Sequence, residues 1–315
     1  MSLKQKMAAW LRAAHLPLYP ITLMAYTLGA VAGSWPVADL HAKAFLFGYA
    51  ALFFIELCAV LINDFFDYET DRVNKNTGFF SGGAPVLVSG RLSFGEMKKG
   101  IALALGLAVL FGIALACTTR HIPVRLMTLL FTVGLVLAVG YTMPPLKFGY
   151  RGLGEILVAF MHGPFMVVCG YAFQSGTALD PWPWLLSVPL FLSMLPAGIL
   201  AGIPDRMADQ YAGKRTLAVI LGPARAATLA SWLASLAILA ALFQWGYPHI
   251  GRTFIAGVLL PLPNAILLLS ALATLVRSNH FDRRIDGLLA LSLVYVLWFG
   301  LIPLASLVKW FLQLR

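Results

Sequence analysis

Residues 44–63 read AFLFGYAALFFIELCAVLIN, with a single charged side chain, Glu56. A helix needs roughly 20 mostly apolar residues to cross the hydrocarbon core of a bilayer, and this stretch has that length. The whole chain has a similar character, because 60% of its 315 residues are hydrophobic and only 11% are charged. In soluble domains about a quarter of the residues are charged. The chain is therefore predicted to be an integral membrane protein.

The stretch at 44–63 is one of nine apolar runs, which charged residues, prolines and glycines separate. The runs cover 16–34, 44–63, 100–118, 126–142, 153–174, 183–203, 226–245, 254–276 and 287–310. They are too long and too continuously apolar for the strands of a membrane barrel, which leaves helices. The predicted fold is an all-α bundle of about nine transmembrane helices around a central apolar cavity. One domain is expected to cover residues 1–315.

The basic residues predict an orientation for this bundle. Of the 23 Lys and Arg residues, 17 fall on the side of the N-terminus and six on the opposite side. Cytoplasmic loops carry the excess of Lys and Arg in membrane proteins, so the N-terminus is expected in the cytoplasm. The net charge of +10 then follows from topology, and no nucleic-acid partner is expected. We expect a multi-pass protein of a bacterial inner or plasma membrane.

The run at 44–63 leads directly into an acidic cluster. Asp64, Asp67 and Asp71 stand at positions i, i+3 and i+7, which places three carboxylates on one stripe if the helix continues. Like charges at this spacing repel one another, so a cation should compensate them. Carboxylate oxygens suit Mg²⁺, which takes one or two carboxylates together with phosphate oxygens and water.

A second acidic pair, Asp205 and Asp209, follows the sixth apolar run at a spacing of i and i+4. The predicted topology places it, in the loop 204–225, on the same cytoplasmic side as the first cluster in the loop 64–99. Two facing sets of carboxylates can hold two metal ions and clamp a diphosphate between them. The alternative is that both acidic sets are solvated helix ends. This alternative explains one acidic set alone better than it explains two sets on the same side of the membrane.

Three segments resemble the UbiA superfamily of intramembrane prenyltransferases. Residues 63–71 match its NDxxDxxxD signature, residues 205–209 resemble its second aspartate motif, and residues 141–155 resemble its tyrosine-to-lysine segment. The resemblance covers nearly the whole chain. It implies two Mg²⁺ ions on an allylic diphosphate, supported by Asn63 and held by Asp64, Asp67, Asp71, Asp205 and Asp209. Met207 stands where related sequences often carry another acid.

Basic residues near the two acidic clusters are candidates for binding the diphosphate. Arg binds phosphate oxygens through its planar guanidinium group and Lys through its compact charge. The alternative explanation is that these basic residues only set the orientation of the protein in the membrane. Tyr141 either contacts the diphosphate, as the matched segment implies, or belongs to the interfacial belt of aromatic residues. The basic candidates are Lys147, assigned a catalytic role, with Arg72, Lys75, Lys214 and Arg215.

The predicted reaction is Mg²⁺-dependent transfer of a prenyl group from an isoprenoid diphosphate to an aromatic acceptor, with release of diphosphate. Residues 213–219 and the Phe-Asp-Tyr sequence around Asp67 look most similar to the quinone-synthesis branch of the superfamily, which prenylates dihydroxynaphthoate in menaquinone synthesis. The alternatives are a hydroxybenzoate, homogentisate or lipid-glycerol acceptor, and a prenyl-diphosphate cyclase or hydrolase. A transporter that binds divalent ions is less favoured, because its acids should lie near the membrane midplane.

Four further features can be interpreted from the sequence. Glu56 lies inside the second apolar run and is interpreted as a hydrogen-bonded core group, with an approach to the acceptor as the alternative. His162 is interpreted as a core histidine, and His15 as an interfacial residue. The glycine-rich turn at 81–83 is a candidate hinge for a loop that closes over the substrate.

Overall fold

The computed structural model describes residues 2–35, 39–76, 85–246, 257, 259–281 and 285–313. Every regular element within these ranges is helical, so the predicted all-α class is confirmed. The helices are α1 (Leu3–Ala13), α2 (Tyr19–Gly33), α3 (Ala42–Phe66), α4 (Tyr68–Val73), α5 (Phe94–Thr118), α6 (Val124–Gly140), α7 (Gly154–Phe160), α8 (Met166–Ser175), α9 (Pro181–Tyr211), α10 (Leu217–Leu221), α11 (Pro223–Gly246), α12 (Leu262–Ser278) and α13 (Asp286–Gln313).

Each predicted apolar run overlaps a described helix. Six helical segments among the described residues are long and apolar enough to cross a bilayer, namely α3, α5, α7 with α8 as one continuous helix, α9, α11 and α13. Helices α6 and α12 have 17 residues each and α2 has 15, which is short for a spanning segment. The count of nine crossings therefore stays a prediction, as does the orientation.

Some sequence predictions concern residues outside the described ranges. The glycine-rich turn at 81–83 is one of them, so its role as a hinge stays a prediction. Four of the basic residues counted for the orientation also lie outside these ranges, namely Arg252, Arg283, Arg284 and Arg315.

The helix that carries the first acidic cluster is interrupted once. Helix α3 ends at Phe66, and α4 begins at Tyr68 after the single intervening residue Asp67. The N–H of Asp67 donates to the carbonyl of Asn63, and the N–H of Asp71 donates to the carbonyl of Asp67, both at 2.9 Å. The predicted continuation of the helix is thus present with a local break at Asp67, and hydrogen bonds of the i→i−4 type continue across it.

Close backbone contact joins α2 to α8 in the middle of the bundle. A Cβ atom at Gly29 would lie 1.9 Å from the carbonyl oxygen of Val167, and one at Gly170 would lie 2.1 Å from that of Tyr26. Small residues allow such close approach, which is how membrane helices gain packing energy without a hydrophobic driving force between them. Helix α3 packs on α5, and α9 packs on α11 and α13 around this pair.

A π-helical turn, Met161–Phe165, joins α7 to α8 and contains Pro164. Proline has no N–H to donate and its ring displaces the preceding carbonyl, so the regular hydrogen-bond ladder cannot pass through this position. Single π turns inside helices are frequent at functional sites. This one carries His162 on the wall of a cavity described below.

Candidate active site

The two acidic clusters meet at a cavity of about 290 Å³. The cavity, called the outer cavity below, lies where the ends of α3 and α9 approach the loop between α6 and α7. Both clusters contribute two carboxylates to its lining, so the structure brings the two sequence motifs together. The site residues proposed from the sequence that line it are Asn63, Asp67, Asp71, Tyr141, Asp205, Asp209 and Lys214.

Lys214 connects the two clusters. Its Nζ lies 2.5 Å from Oδ2 of Asp67 and 3.9 Å from Oδ1 of Asp209. Burial lowers the pKa of Lys214, but these two carboxylates outweigh burial and raise that pKa above its usual value. The lysine follows Gly213, which has φ +74°, a left-handed conformation that glycine adopts at little cost. The turn after α9 therefore directs a charged ammonium group between the motifs.

Tyr150 also contacts Asp67 and was not anticipated from the sequence. Its hydroxyl donates a hydrogen bond of 2.8 Å to Oδ1 of Asp67, and burial together with that carboxylate raises the pKa of Tyr150 to about 12. The loop is folded back on itself, because the N–H of Gly149 donates to the carbonyl of Tyr141 at 2.9 Å. Tyr150 therefore remains a neutral hydrogen-bond donor that orients Asp67.

The outer cavity has more negative than positive charge. Burial and the neighbouring carboxylates of Asp64 and Asp67 raise the pKa of Asp71 to about 8, even though Lys214 acts in the opposite direction. Lys214 is the single Lys or Arg among the described residues that line the cavity. The site therefore favours the binding of a further cation.

Neutral polar side chains hold the second acidic pair. The Nδ2 of Asn74 donates to Oδ1 of Asp205 at 2.8 Å, and the hydroxyl of Thr216 donates to Oδ2 of Asp209 at 3.3 Å. These contacts fix the carboxylates without neutralising them. Asn74 reaches across from the segment after α4, so it links the first acidic segment to the end of α9.

The donor set fits a metal ion whose coordination the substrate completes. Among the described residues, no group of three His, Cys, Asp or Glu side chains is arranged to hold an ion. Mg²⁺ in phosphate-binding sites usually takes one or two carboxylates and fills its remaining positions with phosphate oxygens and water. The outer cavity offers two carboxylates from each motif. This number matches what Mg²⁺ takes from a protein when phosphate oxygens complete its coordination.

Four of the predicted site residues lie outside the lining of the outer cavity. Asp64 is 2% exposed, and its Oδ1 lies 3.5 Å from Nε2 of His15, which does line the cavity. The Nζ of Lys147 lies 4.7 Å from the centre of the Tyr150 ring. The exposed residues are Arg72, which pairs with Glu69 at 2.8 Å, Arg215 and the candidate Lys75. The roles assigned to these residues stay predictions.

An inner cavity of about 260 Å³ adjoins the outer one, with side chains of α2, α3, α6, α7, the π turn, α8 and α9 in its walls. Most of its lining is apolar and includes Leu52, Ile55 and Phe165. Its acidic residue, Glu56, lies 3.4 Å from His162, measured from Oε1 to Nε2. The residues that line both cavities are His15, Leu18, Asn63, Tyr141 and Val158.

The sequence profile of the UbiA prenyltransferase family matches residues 18–286. The chain belongs to this family. The match includes both acidic clusters and the loop that carries Tyr150. Its members are prenyltransferases, and the resemblance noted from the three segments is thereby confirmed.

Curated relatives of this UbiA-family chain differ in the acceptor that their names give. It is 24% identical over 301 residues to 1,4-dihydroxy-2-naphthoate octaprenyltransferase of Escherichia coli, covering 92% of the chain and 94% of that protein. It is 28% identical over 248 residues to digeranylgeranylglyceryl phosphate synthase of Ignicoccus hospitalis, covering 75% of each. Both are similar proteins, and neither fixes the acceptor of this one.

Solved structures show the same fold. A UbiA homologue from Aeropyrum pernix superposes with a TM-score of 0.65 at 16% identity, covering 92% of this chain and 97% of that one. A UbiA homologue from Archaeoglobus fulgidus, bound to GPP and Mg²⁺, gives a TM-score of 0.59 at 17% identity, covering 95% of this chain and 99% of that one. At this level of identity the likeness establishes the fold alone.

Some lining residues of this UbiA-family chain carried no sequence signal. His15, Asn74 and Thr216 line the outer cavity but belong to no motif with a recognisable spacing. Glu155 is 6% exposed and accepts a hydrogen bond of 2.7 Å from the N–H of Leu217. Its place at the end of the tyrosine-to-lysine segment was the one available indication of a role.

Proposed function

We propose that this UbiA-family prenyltransferase transfers a prenyl group from an isoprenoid diphosphate to an aromatic quinone precursor and releases diphosphate. The observation that carries the proposal is the arrangement of Asp67, Asp71, Asp205 and Asp209 around Lys214 in one cavity. This cavity adjoins an apolar one of similar size. A polar pocket for the diphosphate beside a dry pocket for the reacting groups is what such a transfer needs.

The proposed cofactor is Mg²⁺, in two ions, with one held by each acidic motif. Asp67 and Asp71 would serve one ion, with Asp64 as a further predicted ligand, and Asp205 and Asp209 would serve the other. When bound, the ions neutralise the charge that develops on the departing diphosphate. The structure of the Archaeoglobus fulgidus homologue with GPP and Mg²⁺ supports divalent metal use.

The chain's own residues position the diphosphate. The ammonium of Lys214 is placed to donate to phosphate oxygens once a cation relieves Asp67 and Asp209 of their charge. Tyr150 fixes the rotamer of Asp67, and Asn74 fixes that of Asp205. Preorganised groups of this kind stabilise developing charge at little reorganisation cost. Lys147, Arg72 and Arg215, with the Tyr141 hydroxyl, remain proposed as outer contacts to the diphosphate.

The inner cavity is proposed to hold the reacting carbon away from water. As the allylic C1–O bond breaks, its electron pair leaves on the diphosphate and C1 becomes electron-deficient. Apolar side chains such as Ile55, Phe165 and Met194 line the space behind the diphosphate pocket. Exclusion of water from this space suppresses hydrolysis. A ring carbon of the acceptor then forms the new C–C bond to C1 and gives up the proton that it carried to the released diphosphate, which restores the aromatic ring.

The composition of the inner cavity supports an aromatic acceptor over a glyceryl phosphate. No Lys or Arg occurs among the described residues that line it, and a phosphate held there would face Glu56. An aromatic ring suits the apolar walls, and the similarity to the E. coli naphthoate enzyme extends over most of both chains. The glyceryl acceptor and the hydrolase or cyclase reactions are the outcomes that the product assay must separate.

The proposal includes a placement in the membrane. We place the nine helical runs across the bilayer as a single domain, with the N-terminus and the outer cavity on the cytoplasmic side of a bacterial inner or plasma membrane. The uneven distribution of Lys and Arg supports this orientation. The diphosphate headgroup of the substrate would then lie at the cytoplasmic surface, next to Lys214.

A product assay tests the proposed function. Purified protein in detergent receives Mg²⁺, a radiolabelled prenyl diphosphate and, in separate reactions, a dihydroxynaphthoate, a hydroxybenzoate, a prenylated glyceryl phosphate or no acceptor. We expect a labelled prenyl-arene and stoichiometric diphosphate, with both lost in EDTA. Transfer to the glyceryl phosphate alone, or release of prenol or terpene at the same rate without an acceptor, would contradict the proposal.

A further inference from the structure

The inner cavity contains a polar pair of side chains that has no role in binding the diphosphate. Glu56 on α3 and His162 on the π turn approach to 3.4 Å between Oε1 and Nε2. The Nδ1 of His162 lies 2.9 Å from the carbonyl oxygen of Val158. A carbonyl oxygen only accepts, so Nδ1 carries a proton and donates it there. Nε2 then faces Oε1 of Glu56, so the histidine orients the carboxylate.

The second carboxylate oxygen of Glu56 has unused capacity. Glu56 Oε2 is inaccessible to solvent and makes no hydrogen bond to any described residue, and the same is true of the hydroxyl of Tyr19. Tyr19 is 6% exposed, and both residues line the inner cavity. Buried polar atoms in native proteins nearly always have partners. These two, in the same cavity, have hydrogen-bonding capacity that a polar group of a ligand can use.

The position of Glu56 relates this group to the reaction. Glu56 lies seven residues before Asn63 on α3, so the two side chains share a face of the helix and stand two turns, about 10 Å, apart. Asn63 lines both cavities, whereas Glu56 lines the inner one alone. A ligand between them would span from the mouth of the diphosphate pocket to the carboxylate, which is room for an aromatic ring with a substituent at its far end.

We infer that Glu56, oriented by His162, is the binding site for a hydroxyl group of the aromatic acceptor. The inference rests on the proposed function and names the part of the acceptor that this cavity recognises. The Glu56 side chain is 15% exposed as a whole, and a rotation of its carboxylate would turn Oε2 into the cavity, where a phenolic O–H donates to it. The Tyr19 hydroxyl would then be a second partner for the hydroxyl group of the ligand. A hydrogen bond to a carboxylate shifts electron density into the ring, which makes the ring a better nucleophile. The hydrocarbon tail of a prenyl diphosphate offers no donor to Glu56, so it does not satisfy this carboxylate.

Binding of two probes that differ in one hydroxyl tests the inference without turnover. 1-Naphthol and 1-methoxynaphthalene are titrated into the detergent-solubilised protein, and binding is followed by their fluorescence anisotropy against protein-free micelles. Charge-assisted hydrogen bonds are roughly twice as strong as neutral ones. We therefore expect wild type to prefer the naphthol by at least about 10-fold. In Glu56→Gln the amide oxygen accepts a neutral hydrogen bond of about half that strength, so the preference should fall to roughly 3-fold.

His162 is a positioning residue in this account, and a double-variant cycle tests that role. His162→Phe should lower the preference for naphthol, and adding it to Glu56→Gln should cause little further loss, because coupled residues are non-additive. Glu96→Gln is the matched control, since Glu96 forms an ion pair with Lys6 at the N-terminus of α5. It should retain the full preference.

Separate measurements keep the inference distinct from the proposed function. Binding of a non-reactive prenyl thiodiphosphate should be unchanged in Glu56→Gln, which also shows that the variant is folded. Equal preference for naphthol in wild type and Glu56→Gln would overturn the inference, and so would a loss confined to the thiodiphosphate. Preference for naphthol in a protein that prenylates no aromatic acceptor would contradict the proposed function and leave the hydroxyl site standing.

Discussion

The ammonium group of Lys214 lies 2.5 Å from Oδ2 of Asp67, so the loop after α9 is tied to the end of α3. The contact joins the two acidic motifs through one charged hydrogen bond and places a cation at the centre of a carboxylate cavity. With a diphosphate and metal ions present, the same lysine can exchange its carboxylate partners for phosphate oxygens.

Replacement of Lys214 should weaken binding of the prenyl diphosphate. A hydrogen bond to a charged group contributes about 2 kcal/mol, which corresponds to roughly a 30-fold change in the dissociation constant. We expect Lys214→Gln to raise the Kd of a prenyl thiodiphosphate by that factor, as measured by equilibrium dialysis with Mg²⁺ present. Lys214→Arg keeps the charge and should retain most of the affinity. An unchanged Kd in Lys214→Gln would remove this lysine from the binding site.

Loss of the Tyr150 hydroxyl should reduce turnover modestly. Tyr150→Phe removes the hydrogen bond that orients Asp67, and a hydrogen bond to a charged group is worth about 2 kcal/mol. Because Tyr150 acts on turnover only through the orientation of Asp67, we expect about half of this free energy to appear in the rate, so that prenyl transfer falls roughly 5-fold. Tyr171→Phe is the matched control, because the Tyr171 hydroxyl donates to Asp180 at 2.6 Å and neither residue lines either cavity. Equal effects of the two substitutions would argue against a specific role for Tyr150.

The contact between α2 and α8 predicts a pair of opposite stability effects. Gly29→Ala forces a Cβ against the carbonyl of Val167, and overpacking of this kind costs roughly 1–3 kcal/mol. Gly106→Ala on α5 meets no described atom within 4 Å and should stabilise the helix by up to about 1 kcal/mol. Melting temperatures in one detergent should fall for the first variant and stay level or rise for the second. The reverse order would contradict the described packing.

The sequence was a sufficient guide to the helices and to the four cavity carboxylates. The apolar runs give the helices, and the acidic spacing at their ends places Asp67, Asp71, Asp205 and Asp209 on elements that meet. What the spacing could not give is the break at Asp67. The spacing also could not show that Asp64 lies beside His15 and outside the cavity lining.

The choice between cations also lay beyond the sequence. Lys147 and Lys214 both follow an apolar helix and both lie near an acidic motif, so composition does not distinguish them. Both ammonium groups lie near the Tyr150 ring, at 4.7 Å for Lys147 and 5.3 Å for Lys214. Their loops differ, because the turn after Gly213 also places Lys214 between Asp67 and Asp209, whereas Lys147, with φ 45°, does not line the cavity. Backbone conformations in such turns depend on tertiary contacts that local sequence does not encode.

Glu56 and His162 show the same limit inside the bundle. Each is a single polar residue in an apolar run, which most often means a satisfied core group. Their approach across α3 and the π turn, together with the unused oxygen of Glu56, became visible once the helices were packed.

The central claim is that the two acidic motifs act together on one metal-bound isoprenoid diphosphate. Equilibrium binding of a prenyl thiodiphosphate to wild type, Asp71→Asn and Asp209→Asn, each with Mg²⁺ and with EDTA, tests it directly, with Glu96→Gln as the control. We predict that wild type and Glu96→Gln bind the thiodiphosphate with Mg²⁺ and lose at least about 100-fold in affinity in EDTA. Each ion takes only one or two carboxylates from the protein, so phosphate oxygens of the ligand fill its other coordination positions. Each aspartate variant should bind with Mg²⁺ as weakly as wild type does in EDTA. Binding that is independent of Mg²⁺, or that either motif supports without the other, would contradict the account.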